Sequence, residues 1–135
     1  MSNKQSKQLN QAVGVRYIVN DVDAAVIFYT EMLGFHIGQH VKSDFASLLL
    51  GNLSLFINRP GAGGAGQAMP DGTIPAPGGW NRIQIMVEDL EKMVTDLKTR
   101  GAKFRNEIVT GIGGKQILLE DPSGNLIELF QPRDA

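Results

Sequence analysis

The chain has 135 residues, 42% hydrophobic and 20% charged, with a formal net charge of −1 and no cysteine. That length and composition suit one domain with a real core. The near-neutral charge argues against non-specific nucleic-acid or membrane-surface binding, and the missing cysteines remove disulfides and thiolate metal sites.

The opening stretch MSNKQSKQLNQ is polar and lacks the apolar core of a signal peptide, and no apolar run approaches the ~20 residues of a membrane helix. Residues 1–11 are therefore expected to be a disordered tail, and the setting is expected to be the cytoplasm with no membrane partner. In VGVRYIV, Val13, Val15, Tyr17 and Val19 alternate with Gly14, Arg16 and Ile18, the period of a strand with one apolar face. Val22, Ala25, Val26 and Tyr29 then follow helical spacing, with Asp21 placed as N-cap and Gly34 as the stop. Three short strands are read at 36–41, 45–50 and 53–58. Residues 59–79 are so rich in glycine and proline that they read as loop.

The pattern then repeats. Ile83, Ile85 and Val87 alternate with Arg82, Gln84 and Met86, Asp89 caps a helix through Leu90, Met93, Val94 and Leu97, and Gly101 ends it. Strands are read at 103–110, 115–120 and 125–131. DPSG joins the last two as a type I turn. The closing strand NLIELF pairs by identity with NLSLFI in the first copy, which sets Glu128 against Leu55. A buried carboxylate costs several kcal/mol without a cation, a metal or good donors, so Glu128 needs a partner that Leu55 does not.

The segments VNDVDAAVIFYTEMLGF, VEDLEKMVTDLKTRGAKF and EDPSGNLIELF together resemble the vicinal oxygen chelate superfamily of glyoxalases, bleomycin-resistance proteins and extradiol dioxygenases. The resemblance spans nearly the whole chain. It implies an α+β fold in which two tandem βαβββ modules, 12–58 and 80–132, form a curled mixed-sheet cup with helices outside, within a single domain 12–135. It also implies a two-fold homodimer, since such short modules leave exposed edges.

In that family a divalent ion sits in the cup on the first and last strands of both modules. The resemblance carries those positions onto Gly14, Arg82, Leu55 and Glu128. Only Glu128 is a ligand type, because glycine and leucine offer no lone pair and arginine stays protonated. Gln84 shares a strand face with Arg82, so Gln84 with Glu128 is the fallback metal pair, still short of a catalytic ligand set. The expectation is no metal and no other cofactor, with Arg82 pairing bidentately with Glu128 in the ion's place. A divalent metal is the alternative.

The remaining candidates are weaker. His36 and His40 are the only histidines, read on one face of an edge strand, with His40 the better ligand contact or base. Arg16 either pairs with Asp44 or Glu120 or recognises an anionic group of a ligand. Trp80 reads more as a packing anchor than a stacking platform. GAGGAG at 61–66 matches a dinucleotide fingerprint in letters alone, since no helix can follow it.

Two function classes follow. One is a metal-free, bleomycin-resistance-like protein that binds a small anionic or polar molecule through Arg16, Arg82, Gln84, Glu128 and His40. The other is a metal-dependent lyase, isomerase or dioxygenase of the glyoxalase type, for which Lewis-acid chemistry needs the ion. A metal-free enzyme using Glu128 or a histidine as base stands between them, with Glu128 the best catalytic candidate.

Overall fold

A computed structural model describes residues 12–134, so the tail expected over residues 1–11 lies outside the described residues. The first half runs β1 (Gly14–Ile18), α1 (Val22–Ile27, continued by a π-helical turn Phe28–Met32), β2 (His36–Val41), β3 (Phe45–Leu50) and β4 (Leu53–Asn58). The second runs β5 (Arg82–Met86), α2 (Leu90–Thr99), β6 (Lys103–Phe104), β7 (Val109–Thr110), β8 (Gly114–Glu120) and β9 (Leu126–Pro132). Neither helix nor strand forms between β4 and β5. Among the described residues, no helix is long and apolar enough to cross a membrane.

The local reasons are those the sequence offers. Asp21 accepts a hydrogen bond from the Ala24 amide at 3.0 Å and Asp89 one from Lys92 at 3.1 Å, so each carboxylate satisfies an orphan donor of its helix. Gly34 and Gly101 sit at φ +77° and +90°, the left-handed conformation that ends a helix at little steric cost to glycine.

The fold is α+β, with two open sheets. One has the order β1-β4-β3-β2 and the other β5-β9-β8-β6, with β7 also on β8. In each, the first and last strands pair in parallel and the rest are antiparallel. The strand expected over 103–110 is split. The Arg105 amide still donates to Leu118 O at 2.8 Å, but the Asn106 side chain then takes the Leu118 amide at 3.0 Å. A side-chain oxygen replaces the strand's own carbonyl, and the backbone leaves the ladder until Val109.

One apolar cluster holds the halves together, with Leu55 and Ile57 of β4, Ile127 and Leu129 of β9, and Val26 and Leu97 of the helices all buried in it. Each such side chain stabilises the fold by about 1.5–3 kcal/mol, so a one-residue slip of any strand is strongly opposed. Polar bonds cross the seam as well. Tyr17 donates to Leu126 O at 2.7 Å and accepts from the Ile83 amide at 2.9 Å, Tyr29 donates to Asp121 at 2.9 Å, and Asn125 donates to Ile18 O at 2.8 Å. Burial, then the Asp121 charge and hydrogen bond, raise the Tyr29 phenol well above its ordinary pKa.

The register corrects the pairing of Glu128 with Leu55. Gln84 lies opposite Glu128, and its counterpart Arg16 lies opposite Phe56. The structural twin of Glu128 is therefore Phe56. Leu55 corresponds to Ile127, and both point into the core. Matching Asn-Leu to Asn-Leu shifted the copies by one residue, and one residue reverses the face of a strand.

Candidate functional site

Side chains of the two sheets that alternate away from the core form two outer faces. On the second sheet, Glu128 is only 7% exposed. Arg82 donates to it through Nε at 3.1 Å and Nη2 at 2.9 Å, both bonds ending on Oε1. Gln84 Nε2 donates to Oε2 at 2.7 Å. The expected fork on two oxygens thus gives way to a division of roles, in which arginine compensates the charge on one oxygen and the amide satisfies the other. Arg82 Nη1 also donates to Trp80 O at 3.2 Å, fixing the guanidinium against the start of its own strand. Oε1 is thus engaged twice and Oε2 once, which leaves Glu128 a single lone pair, on Oε2, for a proton or a cation.

The donors do not fit a divalent ion. Of the four positions carried over from the family, Gly14 has no side chain, Arg82 is a cation, and Leu55 faces the core while Phe56, which the register puts in its place, offers no lone pair. No group of three or more His, Asp or Glu that could hold a metal occurs among the described residues. Gln84, the fallback partner, presents its amide nitrogen to Glu128 rather than an oxygen to a shared ion.

The first sheet uses the same positions differently. The Arg16 guanidinium donates to the buried Asn58 side chain and lies 5.2 Å from the centroid of the Phe56 ring. Phe56 stacks on Phe45 with centroids 6.3 Å apart. Gly14 makes this possible, because a Cβ there would collide with Phe56 Cε2. Both acids considered for Arg16 are taken: Asp44 by Arg59 at 2.8 Å and Glu120 by Arg105 at 2.7 Å. Among the described residues, Arg16 therefore has only neutral partners.

His40 does not join this face. A register shift between Ile37 and Gln39 sets His36 opposite Leu49 but His40 opposite the core residue Ala46. The two histidines, read as sharing a face, point to opposite sides. His40 Nε2 lies 2.9 Å from Asp23 Oδ1 at the start of α1, and Ser43 donates to the other Asp23 oxygen at 3.0 Å. The bulge centres on Gly38, whose missing Cβ leaves room for the Ser47 hydroxyl that accepts from the Gln39 amide.

Trp80 is 69% exposed and is no packing anchor. Arg105, held by Glu120, has its guanidinium carbon 5.9 Å from the indole centroid. Sequence reasoning missed Arg105, Phe56 and Asn58. Phe56 was recoverable by aligning the copies on their buried alternation, whereas nothing in the letters marked Arg105. In GAGGAG, the Gly61 and Gly66 amides bond carbonyls inside the same loop, so they are not free to cradle a phosphate.

Comparison with known proteins supplies a wider frame. Residues 8–129 match the family model described as "Glyoxalase/Bleomycin resistance protein/Dioxygenase superfamily". The chain is 27% identical over 116 residues to the uncharacterised protein YwbC of Bacillus subtilis (strain 168), covering 84% of this chain and 91% of that protein. Among solved structures it is similar to a lactoylglutathione lyase from Agrobacterium tumefaciens, with a TM-score of 0.69 at 18% identity over 90% of this chain and 93% of that one. It is also similar to TnmS3, an antibiotic binding protein from Streptomyces sp. CB03234, with a TM-score of 0.65 at 22% identity over 89% and 93%. At these identities the two structures speak for the fold alone.

Proposed function

From the premise that this chain belongs to the glyoxalase/bleomycin resistance protein/dioxygenase superfamily, we propose that it binds a small, planar, polar molecule on its outer sheet faces without a divalent ion. One observation carries the reading. Arg82 and Gln84 already occupy both oxygens of Glu128, the only family ligand type retained. The ligand class follows from what is left free. Arg82 and Arg105 are neutralised by Glu128 and Glu120, whereas Arg16 has no acidic partner among the described residues and offers the anchor for an acidic or acceptor group. The exposed indole of Trp80, already bearing Arg105, offers a surface for a flat ring. That one similar fold is an antibiotic binding protein accords with this. The lyase or dioxygenase reading needs further ligands recruited around Glu128, whose one open lone pair cannot hold a divalent ion alone.

The protein acts as a two-fold homodimer in the cytoplasm on this reading. The exposed apolar residues Ile37 and Val41 on the edge strand β2, with Met86 on β5, support an association surface. Sedimentation at micromolar concentration should return twice the chain mass, and a monomer contradicts the dimer.

Trp80 is the sole tryptophan, so its fluorescence reports on the site without labelling. Titrating untagged protein with planar aromatic acids and amides should give saturable quenching that survives chelation with EDTA and weakens in Arg16→Met. Quenching that requires added zinc or nickel, with about one ion bound per chain, overturns the reading in favour of the metalloenzyme.

A further inference from the structure

We infer that the cleft between α1 and the β8–β9 turn is a second small-molecule site, and that it takes a small zwitterion with an apolar body, as an apolar amino acid has. This does not rest on the reading of the outer faces. The cleft encloses about 480 Å³, within the range of small-ligand pockets, and lies where the two modules meet, a common place for them. One wall is α1, the other is built from residues 101–103 and the DPSG turn.

The α1 wall is a second apolar face of that helix. Val22, Ala25, Val26 and Tyr29 fill the core, Ala24, Ile27 and Met32 line the cleft, and the buried Phe28 belongs to both. Ile27 is 56% exposed there. The helix widens into its π-turn at this wall, from Phe28 to Met32, and such turns recur at functional sites.

The charges at the cleft are unequal in their commitments. Glu120 holds Arg105, and the buried Asp121 carboxylate accepts from Tyr29 and from the Asn125 side chain, besides two amides of its own turn. Those acids are saturated. Glu31, from the first module, and Lys103, from the second, line the same cleft, and neither side chain has an ion-pair or hydrogen-bond partner among the described residues. One free carboxylate and one free ammonium thus flank an apolar floor. A ligand bearing both an ammonium and a carboxylate satisfies both groups, and its apolar body covers Ile27, Phe28 and Met32. A ligand with one charge leaves the opposite group unpaired.

The test uses the full chain with three probes, L-phenylalanine, phenylacetate and phenethylamine, followed by amide shift mapping and calorimetry. Phenylalanine should bind tightest, with shifts centred on Ile27, Met32 and Ala102. Lys103→Met should weaken phenylalanine and phenylacetate about three- to tenfold and leave phenethylamine unchanged, and Glu31→Gln should do the converse. Both residues are exposed, so melting temperatures should hold and certify the fold. The proposal is overturned if no cleft amide shifts at about 10 mM probe, or if neither substitution changes any of the three affinities.

Discussion

The outer faces of β1/β4 and β5/β9 share a backbone plan and differ in chemistry. In the first, Gly14, Arg16 and Phe56 form a cation resting on an aromatic ring. In the second, Arg82, Gln84 and Glu128 form a hydrogen-bonded ion pair. The residue opposite Arg16 or Gln84 decides which arises: an aromatic ring needs a glycine beside it, and a carboxylate needs a guanidinium. Neither arrangement leaves the set of lone pairs that a divalent ion requires. A repeat can therefore keep its fold while each copy fills the same positions with different chemistry.

The comparison breaks most sharply at Arg82. Arg82→Met strands the nearly buried Glu128 with Gln84 alone, and urea denaturation should show a loss of about 2–4 kcal/mol, discounted from the fully buried case because Arg82 is 30% exposed. The triple change Arg82→Gly, Gln84→Arg and Glu128→Phe copies the first face onto the second and should recover much of that loss.

Gly14→Ala attacks the other face. Its Cβ meets the Phe56 ring with no backbone strain to blame, so a destabilisation of about 1–3 kcal/mol is expected, relieved when Phe56→Leu is added. The seam common to both copies comes next. Tyr29→Phe removes a donor from buried Asp121 and should cost about 1–3 kcal/mol. Because folding raises the Tyr29 pKa, the folded state holds the phenolic proton more tightly than the unfolded one. That stability is complete below the ordinary phenol pKa near 10 and falls as pH rises above it. The wild type should lose stability in alkali more steeply than Tyr29→Phe, as measured by denaturation at several pH values.

The smallest effect belongs to His40→Ala. Its contact with Asp23 is exposed and lies on the helix side, so about 0.2–1 kcal/mol of stability is at stake. Ligand quenching of Trp80 should not change, which a fluorescence titration checks.

Much of this was legible in the letters, because caps, stops and alternation act locally. Asp21, Asp89, Gly34 and Gly101 each announce their helix end through their own side chain or its absence. The contact between Arg82 and Glu128 was legible too, once the resemblance had set the two strands side by side. What stayed hidden depends on counting residues across a ladder. The bulge at Gly38 turned His40 away from the outer face, and a one-residue offset exchanged Leu55 for Phe56 as the twin of Glu128. The share taken by Gln84 was hidden for another reason, since amide rotamers follow from packing that no single strand encodes.

The central claim is that a guanidinium, rather than an ion, answers the charge of Glu128. A double-mutant cycle on Arg82→Met and Glu128→Leu, followed by urea denaturation in the presence of EDTA, tests it most directly. A coupling energy of about 1–3 kcal/mol, with the double variant more stable than Arg82→Met alone, is the predicted result. A coupling near zero, with Arg82→Met no less stable than wild type, contradicts the account and leaves Glu128 to a metal.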